Sequence, residues 1–131
     1  MKNANDFNVD AQLESMKVNF ENEAMENFFR KDGEEYYYDG DLLITEETIF
    51  DMPEWPNQLT INGNFVIDTT YIIGLPEIVN VEGSFYAQYC QFAGFPKMTV
   101  KGNSIFHQTN IKKISDLPEE CNFIGGVEIE N

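Results

Sequence analysis

Leu59-Thr60-Ile61-Asn62-Gly63-Asn64-Phe65-Val66-Ile67, with the Asp68-Thr69-Thr70-Tyr71-Ile72-Ile73-Gly74-Leu75-Pro76 that follows, decides how this chain is read. A glycine stands at the centre, with apolar residues two and four positions away on both sides. Alternation of that kind is extended chain with one face turned inward. The second half turns the chain back. It puts Ile72 and Leu75 inside, and Pro76 blocks regular helix or central-strand continuation at its own position. The return leg is expected to be irregular, with no long helix.

Working outward, the same unit recurs at Gly40, Gly83, Gly102 and Gly125, framed for instance by Val79, Val81, Phe85 and Ala87, or by Cys121, Phe123, Val127 and Ile129. Thirteen residues after each of the first three glycines comes a proline behind a large apolar side chain: Met52-Pro53, Leu75-Pro76 and Phe95-Pro96. Leu117-Pro118 follows Gly102 by sixteen, so that coil carries a short insertion. A period of about 19 to 24 residues is the mark of a solenoid, in which each coil covers its neighbour's apolar face. The inward residues equivalent to Ile72 and Leu75 are Ile49 with Met52, Phe92 with Phe95, and Ile111 with Ile114 or Leu117.

Before the repeats the texture changes. From Asp10 to Lys31 apolar residues fall at Leu13, Met16, Phe20, Ala24 and Phe28, close to one helical face. Asp10 can cap the first turn, Arg30 and Lys31 suit the carboxyl end, and Asp32-Gly33 can stop the helix in a left-handed conformation. The expectation is an amino-terminal helical cap over residues 1–35, closing the apolar end of a solenoid over residues 36–131, in one compact domain.

A chain of 131 residues is long enough to bury a core, and 42% apolar composition argues against disorder despite a net charge of -15. Residues 1–58 hold 15 acidic side chains against 4 basic, and residues 59–131 hold 8 against 4, so the amino-terminal part carries most of the field. A surface of that sign repels phosphate backbones and attracts basic patches. Direct nucleic-acid binding is not expected. No apolar run approaches the roughly 20 residues that span a bilayer, and Met1 to Asp10 has no signal-peptide core, so neither a membrane nor a secretory location is expected and the cytoplasm is. Cys90 and Cys121 lie in different coils at buried or half-buried positions, which reads as reduced thiols.

Phe65-x-Ile67-x-x-Thr70-x-Ile72-x-x-Leu75-Pro76, repeated by Phe85, Ala87, Cys90, Phe92, Phe95 and Pro96, resembles the leucine-rich-repeat pattern. It is most similar to the short-repeat form of bacterial and phage proteins, in which Val-x-Gly precedes the strand and Leu-Pro ends the return leg. The family's Asn or Cys, whose side chain hydrogen-bonds the turning backbone, corresponds here to Glu47, Thr70, Cys90 and Thr109, and Glu47 departs from the pattern. The resemblance implies a mainly β, parallel-stranded solenoid of about four to five coils used for protein recognition, and no chemistry.

If the coils stack in register, residues between the inward ones form columns on the outer face. Three positions after each glycine stand Leu43, Val66, Tyr86 and Ile105, with Glu128 closing the series. Thr45, Asp68, Gln88, His107 and Glu130 flank that stripe on one side, and Asp41, Asn64, Ser84 and Asn103 on the other. An apolar row with polar borders is the pattern of an interface core and its rim. The candidate partner-binding residues are Leu43, Val66, Tyr86, Ile105, Asp41, Asp68, Gln88 and His107. The alternative is that the stripe is covered, by the amino-terminal helix or by a second copy of the chain.

Signals for catalysis are thin. His107 is the one histidine, it falls in an outward column, and no triad assembles around it. No Cys-x-x-Cys and no second histidine would complete a zinc site, Asp39-Gly40-Asp41 lacks the later ligands of a calcium loop, and neither Gly102-Asn103 nor Gly125-Gly126 is followed by the Lys-Ser or Lys-Thr of a phosphate loop. No enzyme, metal or cofactor is expected. Two functions remain: an acidic binding module that inhibits a basic nucleic-acid-handling protein, as an immunity protein or a phage anti-defence inhibitor of the anti-CRISPR type would; or a structural, self-assembling repeat protein, for example a homodimer.

Overall fold

The computed structural model describes residues 28–48, 55–72 and 74–130. Eleven strands in the described part form two sheets. The first sheet is built from β1 (Arg30–Asp32), β2 (Glu35–Asp39), β4 (Gln58–Asn62), β6 (Ile78–Val81), β8 (Lys97–Val100) and β10 (Asn122–Phe123), in that spatial order. The second holds β3 (Leu42–Thr45), β5 (Phe65–Ile72), β7 (Phe85–Phe92), β9 (Ser104–His107) and β11 (Val127–Glu130), side by side in chain order. Apart from the β1–β2 hairpin, every pairing is parallel. The result is a parallel β-solenoid of about four turns, in which each turn gives one strand to each sheet.

The repeat glycines mark the corner between the sheets, so what alternates through Gly63 is two strands in two sheets rather than one continuous strand. A close approach explains why they are glycines. A Cβ on Gly83 would lie 2.7 Å from the carbonyl oxygen of Gly63, and one on Gly102 would lie 2.7 Å from that of Gly83. The same stack is hydrogen-bonded, Gly83 N–H to Gly63 at 2.9 Å and Gly102 N–H to Gly83 at 2.8 Å. The residue after each glycine ties the corner to the next coil: the Asn64 N–H donates to Asp41 Oδ1 (2.7 Å), Ser84 N–H to Asn64 Oδ1 (2.8 Å) and Asn103 N–H to Ser84 Oγ (3.1 Å).

The core lies between the sheets. Leu59, Ile61, Val79, Val81, Met98 and Val100 face Leu42, Ile44, Phe65, Ile67, Phe85 and Phe106, all essentially inaccessible to water. Aromatic rings run through it from coil to coil, Phe65 to Phe85 at 5.5 Å, Phe85 to Phe106 at 5.6 Å and Phe106 to Phe123 at 6.3 Å between centroids. Burying side chains of that size contributes about 1.5–3 kcal/mol each.

Several expectations are corrected in detail. In the second and third coils the return leg is not irregular at first: β5 and β7 run on to Ile72 and Phe92, bending at Thr69 and Tyr89, where φ is 54° and 50°. Arg30 and Lys31 belong to strand β1 rather than to a helix end, because Gly33 (φ 65°) turns the chain into a hairpin that pairs Asp32 with Glu35. The rest of the expected helix, residues 10–27, lies outside the described residues, as do Ile49, Met52 and Pro53. The register that sets Gln58 beside Ile78 carries Trp55-Pro56 onto Leu75-Pro76, so Trp55-Pro56 is the first coil's counterpart of that corner. Thr48, not Glu47, holds the first turn, its Oγ1 accepting the Thr45 N–H at 2.9 Å, while Thr109 Oγ1 accepts the Ile111 N–H at 3.1 Å in the fourth coil. Of Ile114 and Leu117, Leu117 enters the core and Ile114 is 67% exposed.

Candidate functional site

The outward column forms as a ladder: Leu43 beside Val66, Val66 beside Tyr86, Tyr86 beside Ile105 and Ile105 beside Glu128. Its environment changes along the stack. Leu43, Val66 and Tyr86 are only 3%, 3% and 4% exposed, Ile105 is half-buried and Glu128 is exposed. Asp41 sits in the corner ladder and holds the Asn64 N–H, which makes it part of the stacking apparatus.

The other border of the column is more open. Asp68, Gln88 and His107 are half-buried and Glu130 is exposed, aligned one per coil on β5, β7, β9 and β11. Just past them the strands bend. Thr69, Tyr89 and Gln108 occupy the same place in three successive coils, with φ of 54°, 50° and 53°. A left-handed conformation is costly for a non-glycine residue, about 1–2 kcal/mol, and at Thr69 and Tyr89 the parallel pairing on both sides of the bend holds it in place. Beyond the bend alternation resumes, so Thr70 and Cys90 turn inward and Tyr71 and Gln91 outward.

This bend raises two tyrosines. Tyr71 and Tyr89, on adjacent coils, are 56% and 57% exposed, the two most exposed aromatic side chains among the described residues. Tyr89 stands edge-on to His107, with ring centroids 5.3 Å apart at 84°. The Nδ1 of His107 is 3.4 Å from Glu130 Oε2, ion-pair distance without hydrogen-bond alignment. Asp68 Oδ1 accepts the Thr69 hydroxyl at 2.8 Å. Sequence reading took in Asp68, Gln88 and His107 but missed Tyr71 and Tyr89. The signal was there, since Thr70-x-Ile72 and Cys90-x-Phe92 continue the alternation past the point where the return leg was taken to begin.

A different surface runs along the proline corners. Leu75, Pro76, Glu77, Phe95, Pro96, Lys97, Pro118 and Glu120 line a shallow groove of about 300 Å³ that continues toward Trp55. It offers apolar walls and scattered charge.

Both cysteines are free thiols. Burial, with Asp68 nearby, pushes the Cys90 thiol up to about 12, so it stays protonated and inert at neutral pH. Cys121 is raised as well, chiefly by burial. Among the described residues no three His, Cys, Asp or Glu side chains converge as a metal site would require, and no helix is long and apolar enough to cross a membrane. Compared with protein-family models, curated proteins and solved structures, the chain finds no match in any of the three.

Proposed function

We propose that this chain is an acidic protein-binding module that captures a basic protein and blocks its working surface. One observation carries the reading: Tyr71 and Tyr89 stand exposed on adjacent coils beside the Asp68, Gln88, His107 and Glu130 column, in a protein of net charge -15. Tyrosine supplies large contact area at small entropic cost and is enriched at interface hot spots. Carboxylates around such anchors steer a basic partner in and fix its register. A nucleic-acid-handling protein is the partner class whose own surface carries the complementary lysines and arginines. Its inhibition is the natural consequence, because the acidic rim would compete with phosphates for that surface.

The test is capture by the immobilised full-length chain from bacterial lysate, with identification of what is retained. The expected partner is basic, is released as salt rises, and loses its nucleic-acid activity when this chain is added. The double variant Tyr71→Ala with Tyr89→Ala should weaken capture about 30-fold or more, since two interface hot spots each account for at least about 1 kcal/mol. Retention of the same partner by the double variant at unchanged affinity would remove the tyrosine rim from the argument.

A second reading, self-assembly, is favoured by the last coil. There, among the described strands, β10 and β11 each have a neighbour on one side only, Phe123, Val127 and Ile129 are half-buried and Ile124 is 61% exposed. Open edges of this kind invite pairing, although the outward Glu128 and Glu130 oppose it. Sedimentation decides: a concentration-dependent dimer supports this reading, and a monomer throughout rejects it.

A further inference from the structure

The proline corners repeat an apolar-proline step in every coil, at Trp55-Pro56, Leu75-Pro76, Phe95-Pro96 and Leu117-Pro118. The groove runs along them, about 300 Å³ over the second to fourth coils and about 460 Å³ more over the first and second. Trp55, Leu75 and Phe95, one per coil, are half-buried in its wall. Two glycines keep it open: a Cβ on Gly74 or Gly94, at the same place in successive coils, would meet nothing within 4 Å. Backbone donors are scarce here. Pro76, Pro96 and Pro118 have no N–H, and the N–H groups of Ile78 and Lys97 already donate to the carbonyls of Asn57 and Glu77. Three exposed charges line the groove, Glu77 on the second coil, Lys97 on the third and Glu120 on the fourth, and among the described residues none of them has an ion pair.

We propose that this groove takes a basic, proline-rich segment of a partner protein in the polyproline II conformation. Spacing selects that conformation. Neighbouring strands of a sheet stand about 4.8 Å apart, so alternate coils recur at about 9.6 Å. A polyproline II helix turns once in three residues, a rise of about 9.3 Å. Ligand residues three apart therefore meet alternate coils, and the groove repeats at that step: Trp55 and Phe95 bring aromatic rings to it on the first and third coils, Glu77 and Glu120 bring carboxylates on the second and fourth. Prolines three apart rest against the rings, and arginines or lysines three apart reach the carboxylates. Lys97, on the coil between the two carboxylates, opposes a ligand moved along by one coil and so fixes the register. The conformation also suits a wall poor in donors, because polyproline II leaves its own backbone solvated and is formed before it binds. An added β-strand, by contrast, needs the unpaired N–H groups that these corners lack. Four coils span about 14 Å, which is about five ligand residues.

None of the residues lining this groove belongs to the proposed rim of Tyr71 and Tyr89, so the two surfaces are tested apart. The full-length chain, labelled with nitrogen-15, is titrated at low ionic strength with the synthetic peptide Arg-Pro-Pro-Arg-Pro-Pro-Arg, blocked at both ends, and its amide chemical shifts are followed. A peptide of the same composition with its three arginines contiguous controls for simple attraction to a net charge of -15. Saturable shifts are expected at Gly74, Glu77, Gly94 and Lys97. The spaced peptide should bind at least about fivefold more tightly than the contiguous one, which reaches only one of the two carboxylates. Glu77→Gln with Glu120→Gln should weaken the spaced peptide about tenfold. Gly94→Leu, which puts a side chain into the groove, should abolish binding, and Tyr71→Ala with Tyr89→Ala should leave it unchanged. Equal affinity for the two peptides, or the absence of saturation, overturns the inference. Loss of binding in the tyrosine variant would move the ligand to the other surface and overturns it too, whereas failure of that rim to capture a partner from lysate leaves this groove standing. Should Gly94→Leu unfold, the double variant at the exposed Glu77 and Glu120 still decides.

Discussion

At the scale of single residues, the repeat glycines do steric work. Glycine is usually explained by backbone freedom, but at Gly83 and Gly102 the requirement is space, because each Cα faces the carbonyl of the previous corner. Gly83→Ala should therefore destabilise the protein by about 1–3 kcal/mol, the ordinary range for forcing atoms into a packed site, as measured by urea unfolding. Gly94, with open space where a Cβ would go and no left-handed φ, is the matched control, and Gly94→Ala should leave stability nearly unchanged. Ser104 makes the opposite case. It stands where the neighbouring coils place Phe85 and Val127, and its hydroxyl is buried without a hydrogen-bond partner. An unsatisfied buried hydroxyl costs about 1–3 kcal/mol. Ser104→Ala should raise the unfolding midpoint in urea, by about 1 kcal/mol in free energy, and a drop instead would mean that the hydroxyl has a role the packing does not reveal.

Among the elements, the β1–β2 hairpin lies at one edge of the first sheet, and an exposed ion pair joins its two strands. Arg30 holds Asp39 through two hydrogen bonds, Nε to Oδ2 at 2.7 Å and a terminal guanidinium nitrogen to Oδ1 at 3.1 Å, and Asn62 Nδ2 donates to the same Oδ1 at 2.8 Å. These bonds lower the Asp39 carboxyl to about 2, with Arg30 the largest influence. A carboxyl whose folded value lies below its unfolded one stabilises the fold at pH above the unfolded value near 4, and that contribution is lost as pH falls toward 2. Asp39→Asn should accordingly lower stability at neutral pH, with the difference from the parent shrinking between pH 4 and pH 2. Parallel acid titrations followed by circular dichroism check this. A difference that persists below pH 2 would assign the effect to packing. The hairpin also shows where sequence reading falls short. Arg30, Lys31 and Asp32-Gly33 carry helix-ending signals, yet the same Gly33 serves a two-residue hairpin turn, and only the open edge of β2 nearby decides between them. Glu47 and Thr48 make the same point, since a one-residue shift in the first turn moves the backbone-holding hydroxyl without disturbing the repeat.

For the molecule as a whole, charge and stacking oppose each other. A net charge of -15 on 131 residues repels itself in the folded state, and ion pairs such as those of Asp39 with Arg30 and Glu82 with Lys101 offset only a small part of that repulsion. Salt should therefore stabilise this protein. Moving from low ionic strength to about 0.5 M sodium chloride, where screening acts within a few ångström, should raise the melting temperature by about 3–5 °C, equivalent to about 1 kcal/mol for a chain of this size. A melting temperature that falls with salt would show that attractive pairs dominate the surface. The same field underlies the proposed capture of a basic partner, so the salt responses of stability and of binding should have opposite signs.

Periodicity was enough to establish the solenoid and the outward ladder from Leu43 to Glu128, because stacking makes spatial neighbours of residues a fixed distance apart in the chain. Local patterning also placed Ile72 and Phe92 inside, and left Ile114 and Leu117 as alternatives between which the structure chose Leu117. Three matters were settled only by the three-dimensional arrangement: that the alternating run breaks at the glycine into two sheets, that the strand bends at Thr69 and Tyr89 and so lifts Tyr71 and Tyr89 into solvent, and that Leu43, Val66 and Tyr86 lie dry on an outer face. Each depends on contacts between coils or on what lies over a sheet, and a one-dimensional pattern records which side a residue faces but not what it meets there.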